Sequence, residues 1–174
     1  MSSPSSLAPP GVLKIVSSDD GNVIAQFNPL VIVHLGRKIK PSEIHCLRAI
    51  VAQGLRAGGR GGMLFVFARK DMSGGIDSDA RSFFEELIRE TSEKSGVSAV
   101  VILADGFAGA MARGFLAGLI RLSSRRKALQ IFGAVGEACA WLATHHELDG
   151  AEIQRAYAEA TKHLRASHSA PTTA

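Results

Sequence analysis

The stretch Lys127–Thr144, KALQIFGAVGEACAWLAT, decides the fold. Ala128, Leu129, Ile131 and Phe132 form an apolar run of strand length, and Gly133 to Gly136 turns the chain. Ala138, Trp141 and Leu142 then recur at i, i+3 and i+4, the spacing of one helix face. The segment therefore reads as the last strand and helix of an α/β sheet, with the only tryptophan in the helix's apolar stripe. None of its residues forms a set that reaction chemistry would need.

Working back from this unit, the same alternation repeats. Val12 to Val16 and Asn22 to Phe27 are short β-like runs around Ser17 to Gly21, where Asp, Gly and Asn tolerate positive φ, which predicts a hairpin. Leu30 to Leu35, LVIVHL, is apolar at nearly every position and is expected to be a central strand covered on both faces. Pro41-Ser42-Glu43 opens a helix with an inward stripe of Ile44, Leu47, Ile50, Val51 and Leu55. Met63 to Ala68 and Val97 to Leu103 read as further buried strands. Helices are expected over about Ser78 to Ser95 and Met111 to Ser123. Strands separated by helices imply right-handed crossovers and a single mixed, largely parallel sheet.

At 174 residues the chain fits one domain, and 46% hydrophobic with 21% charged residues excludes wholesale disorder. The first eleven residues hold three Pro and four Ser and read as a flexible tail, as does 168–174. The α/β domain is expected over 12–146, followed by an additional helix over 147–167 with Ile153, Tyr157, Ala160 and Leu164 at helical spacing. That helix is expected to cover the domain, the other reading being a narrow face for a partner. No apolar run approaches the roughly 20 residues that span a bilayer, and no secretion signal is visible, so a cytoplasmic location is the default expectation. A net charge of +4 bears on solubility and steering, and specific nucleic-acid binding is not expected.

The closing pattern, a strand ending in Phe132, a short turn, then Glu137-Ala138 and Trp141-Leu142, resembles the SpoIIAA-like branch of the STAS fold. The order of hairpin, strand, helix and further strand and helix units extends that resemblance from about Val12 to Thr144. It implies a non-enzymatic regulatory or scaffolding module of bacterial signalling that binds a protein partner and needs no cofactor. The helix from Asp149 departs from the family layout. In classical members a strand leads into a loop whose serine is phosphorylated by a partner kinase. The comparable segment here is Asp71 to Ser78, so the resemblance makes Ser73 and Ser78 candidates for a phosphoswitch. The bland reading of Ser78 and Asp77 is a helix N-cap.

Charge patterning suggests where a partner would dock. Asp77, Asp79, Glu85, Glu86, Glu90 and Glu93 make one helix acidic, whereas Arg121, Arg125, Arg126 and Lys127 form a basic knot. Such separation suits a protein partner or a homodimer, and cations near a helix C-terminus account for the knot equally well. Elsewhere the chemistry is sparse. The Gly106 to Gly114 loop matches no phosphate-binding pattern, and its small residues suit close helix packing, with a weak anion site near Arg113 as the other reading. His34 is expected to be a hydrogen-bonded core histidine, and His145 and His146 to complement a helix end. Cys46 and Cys139 read as buried free thiols. Glu85 and Glu86 read as solvated charge. Two other classes remain open. Phe83, Phe84, Phe107 and Phe115 would line the cavity of an apolar-ligand carrier, and an enzyme would gather polar side chains near the loops at Asp71 or Asp105.

Overall fold

A glycine in the left-handed region starts the sheet: Gly21, at φ +93°, turns β1 (Leu13–Asp19) back along β2 (Asn22–Phe27). The computed structural model describes residues 11–56, 61–68, 82, 86, 96–103 and 129–167. The turn from β2 into β3 (Leu30–Leu35) contains a cis Asn28–Pro29 bond. After it come α1 (Pro41–Arg56), β4 (Gly62–Phe67), β5 (Val97–Ile102), β6 (Leu129–Phe132), α2 (Val135–Ala143) and α3 (Gly150–Ser167).

The six strands lie in sequence order, β1-β2-β3-β4-β5-β6. The β1–β2 and β2–β3 pairs are antiparallel, and β3–β4, β4–β5 and β5–β6 are parallel. The fold is thus α/β with one mixed sheet and an N-terminal hairpin, and β3 sits inside it. Its parallel strands end together at Leu35, Phe67 and Ile102, which defines a carboxyl edge and an opposite amino edge. The β1–β2 register shifts between Ile15 and Ser17, a bulge at Val16 that blunts the outer strand as a template for further pairing.

Each strand shows one set of side chains to each layer. Val33, Leu35, Met63, Phe65, Phe67, Val100 and Ile102 face the layer that includes Leu47, Ile50 and Val51 of α1. Leu30, Ile32, Leu64, Val66, Ala99 and Val101 face Ala138, Cys139 and Leu142 of α2 and Ile153, Ala156 and Ala160 of α3. Burial on both sides explains why β3, β4 and β5 read as nearly continuous apolar runs. Ile44 of the predicted α1 stripe is only partly buried.

Asp149 caps α3, its Oδ1 accepting the Ala151 backbone N–H at 3.1 Å. Gly150 lets that helix begin close against α2, since a Cβ there would lie 3.2 Å from the Ala140 Cα. The helix packs on β1, β2 and α2, as a cover would. Trp141 is half-buried, its ring 5.7 Å from Phe132 and 4.5 Å from His145.

Three sequence expectations need correction. His146 is not a surface cation complementing a helix end: its Nε2 is buried without a hydrogen-bond partner, against Gly62 and Leu30. Cys46 is only half-buried, whereas Cys139 is buried, and both are free thiols. Glu86 is not merely solvated, because it pairs with Arg48 of α1. The turn after α2 accounts for the first correction, since residues 144–148 leave the helix and swing His146 inward.

Candidate functional site

The densest polar grouping among the described residues sits at the carboxyl edge, where the hairpin turn, the end of β3 and the start of α1 meet. Topology makes this corner. Because β2 runs antiparallel to β3, its first residue, Asn22, lies in register with Leu35. Gly36 then passes so close to the hairpin turn that its N–H donates to the Gly21 carbonyl at 2.7 Å, and a Cβ there would sit 2.6 Å from that oxygen.

Glu43 is the hub. It is 4% exposed, and Asn22 is 1% exposed, so neither can rely on water. The Asn22 amide Nδ2 donates to both Glu43 oxygens, at 3.2 and 3.1 Å. Arg37 Nη2 donates to Glu43 Oε1 at 3.1 Å, and the Lys40 backbone N–H donates to Oε2 at 2.6 Å. The last contact is the backward half of a capping box: a carboxylate at the third helical position satisfies the cap residue's amide, with Pro41 at the first position. Asn22 Oδ1 in turn accepts the Arg37 backbone N–H at 3.2 Å.

Outside this hub lies a partly exposed charge array. Arg37 Nη2 also donates to Asp19 Oδ2 at 2.8 Å, Arg37 Nη1 donates to the Lys38 carbonyl at 2.9 Å, and Lys40 Nζ pairs with Asp19. Lys40 and the backbone amide of Asp20 hold the Asp19 carboxyl below its usual range. The arrangement fixes the guanidinium and the ammonium on a rigid frame and presents both to solvent. Both carboxylates of the corner are engaged as acceptors.

A second polar contact lies inside the α2–α3 layer. His34 Nδ1 is 2.9 Å from the Tyr157 hydroxyl, and the two rings are tilted with centroids 5.9 Å apart. The hydrogen bond is as the sequence predicts, but His34 is half-buried, the one position of β3 that is not fully in the core. Burial lowers the pKa of His34, and burial with the neighbouring Cys139 pushes Tyr157 up to about 12. Burial also pushes the Cys139 thiol up to about 11, which leaves it unreactive at neutral pH.

Ser73, Asp77, Ser78, Asp79, Arg121, Arg125, Arg126 and Lys127 all fall outside the described residues, as do Phe83, Phe84, Phe107, Phe115 and the loop 106–114. Among the described residues, no group of three or more His, Cys, Asp or Glu could hold a metal, and no helix is long and apolar enough to cross a membrane. Sequence reading missed the Asn22–Arg37–Glu43 corner. Its available signals were the Gly-Arg-Lys run after an apolar strand and the Pro-x-Glu helix start. Comparison with protein-family models, with curated proteins and with solved structures gives no match.

Proposed function

We propose that this chain is a non-enzymatic, STAS-like regulatory or scaffolding module of bacterial signalling that binds a protein partner, and that the carboxyl-edge corner carries part of the contact. The observation that carries the reading is the corner itself. Arg37 and Lys40 are held on a frame of Asn22, Glu43 and Asp19, so a partner meets fixed charge without the entropy cost of ordering it. Fixed charges of both signs at a rim favour partner selection and association rate more than raw affinity. The hairpin-strand-helix order and the parallel strands that follow are the layout the resemblance implies, which supports the family assignment at the level of architecture. The engagement of His34 with Tyr157, and of Glu43 with three donor residues, supports a structural use of the polar groups in both places.

The test is site-specific photo-crosslinking in the native host. A crosslinker at position 40 should trap one discrete protein, whereas the same group at position 159 on the outer face of α3 should not. The trapped protein, purified, should bind the wild-type chain and lose about tenfold or more in affinity to Lys40→Glu. Equal trapping from both faces, or unchanged affinity, would refute the role of the corner. A native mass spectrum retaining a small apolar molecule would favour a carrier instead.

A further inference from the structure

The helix α3 is attached to the sheet in an unusual way. Its buried contacts come mostly from short side chains, Ala156 and Ala160 beside Ile153, with Tyr157 and Leu164 only partly buried. Alanine removes little apolar area from water, so this stripe anchors the helix weakly for its length. Two histidines lie along its attachment, one near each end of β3. Near the carboxyl end, His34 is hydrogen-bonded to Tyr157 in the middle of α3. Near the amino end, His146 lies in the connection between α2 and α3, lodged against Gly62, the first residue of β4, and Leu30, the first residue of β3.

We propose that α3 is an acid-releasable cover: it stays seated on β1 and β2 while His34 and His146 are neutral, and lifts from the sheet when they take up protons. Neither the His34 Nδ1 contact with Tyr157 nor the buried Nε2 of His146 involves a carboxylate. His34 faces Tyr157 from α3, which is itself influenced by Cys139 of α2, and its register neighbours are Val23 on β2 and Val66 on β4. His146 faces Gly62 and Leu30, and its titratable chain neighbours are His145 and Glu147. The buried Nε2 of His146 has no acceptor to receive a second proton's hydrogen bond. The Tyr157 hydroxyl can turn to accept from a protonated His34, but it cannot neutralise it. Burial lowers the pKa of both histidines, and in His146 the neighbouring His145 adds to the effect.

The size of the effect follows from linkage. A histidine that must be neutral when the helix is seated, and is free to titrate near pH 6.5 when it is lifted, raises the opening equilibrium about tenfold at one pH unit below that value. Two such residues compound the effect. The rest of the sheet does not share this dependence, because of the buried polar side chains among the described residues, Asn22, Gln26, Ser98 and Glu43, only Glu43 is ionisable, and its carboxylate is held by hydrogen bonds.

Hydrogen–deuterium exchange of the full chain at pH 7.5 and 5.5, corrected for intrinsic exchange rates, tests this. Amides of α3 should open about tenfold or more often at pH 5.5, while those of β3 and β4 change by less than about twofold. The double variant His34→Gln and His146→Gln should abolish the pH difference in α3. Unchanged α3 protection at pH 5.5 would overturn the proposal. So would α3 and the central strands losing protection together, or a double variant that keeps the acid response. The wild-type measurement decides the matter even if that variant folds poorly.

Discussion

Glu43 and His146 are both polar side chains carried into the interior, at opposite edges of the same sheet. At the carboxyl edge, Glu43 receives hydrogen bonds from Asn22, Arg37 and the Lys40 backbone. At the amino edge, His146 Nε2 makes none and fills the space that a Cβ on Gly62 would take. A buried group with its full set of partners ties separate segments into one geometry. An orphaned one is tolerated because the surrounding packing holds it, and it becomes a point of sensitivity to pH and to volume. One edge is therefore built for precision and the other for conditional stability.

The strongest way to break this comparison is to remove the hub. Glu43→Ala strands the Asn22 amide and the Lys40 N–H in a buried corner and deletes the cap, and should cost about 3 kcal/mol in urea unfolding. Glu43→Gln keeps an oxygen for the Lys40 N–H but turns an amide NH2 toward the Arg37 and Asn22 donors, and should cost about 2 kcal/mol. If Glu43→Ala fell below about 1 kcal/mol, the corner would be decoration on a fold held elsewhere. The opposite edge predicts a different mode of failure. Gly62→Ala places a methyl group into both the His146 ring and the Leu30 side chain, an overpacking cost of about 2 kcal/mol. In a His146→Ala background the same substitution should cost measurably less, and a double-mutant cycle with no coupling would show that His146 is not seated there.

How much of this was legible in the sequence depends on distance along the chain. The runs LVIVHL and MLFVFA, and the strand–turn–helix unit ending at Trp141, have local periodicities that reflect burial directly, and each is found as an element in the structure. The hairpin was marked by Asp-Asp-Gly-Asn, whose glycine takes the positive φ that the turn requires. The Glu43 hub was not legible, because Asn22 and Glu43 lie 21 positions apart and meet only once β2 and β3 have paired. His34 and Tyr157, separated by 123 positions, pose the same difficulty, although each was separately expected to face inward. His146 misled for a local reason: flanked by His145 and Glu147, it looks like surface charge, and only the turn after α2 reverses its direction.

A smaller effect sharpens the comparison inside the α2–α3 layer. Tyr157→Phe removes the partner of His34 but keeps the ring, and should cost about 1 kcal/mol by thermal or urea unfolding at pH 7.5. A cost indistinguishable from zero would mean that His34 finds water or another partner at no penalty. It would also weaken the case for that hydrogen bond as a latch on α3.

The smallest expected effect at neutral pH is also the most diagnostic. His146→Leu removes a nitrogen that has no partner and keeps comparable apolar volume, so at pH 7.5 stability should change by less than about 0.5 kcal/mol in either direction. Acid should separate the two proteins. Because burial lowers the folded-state pKa of His146, the unfolded chain binds the proton more readily than the folded one. Its neutral form therefore supports the fold fully above about pH 6.5, and that support is lost as the pH falls below this value. Leucine has no proton to take up, so urea midpoints measured from pH 7.5 down to 5.5 should fall less steeply for the variant than for the wild type. Parallel slopes would place the acid sensitivity on His34 alone, and a steeper slope in the variant would contradict the buried neutral state of His146.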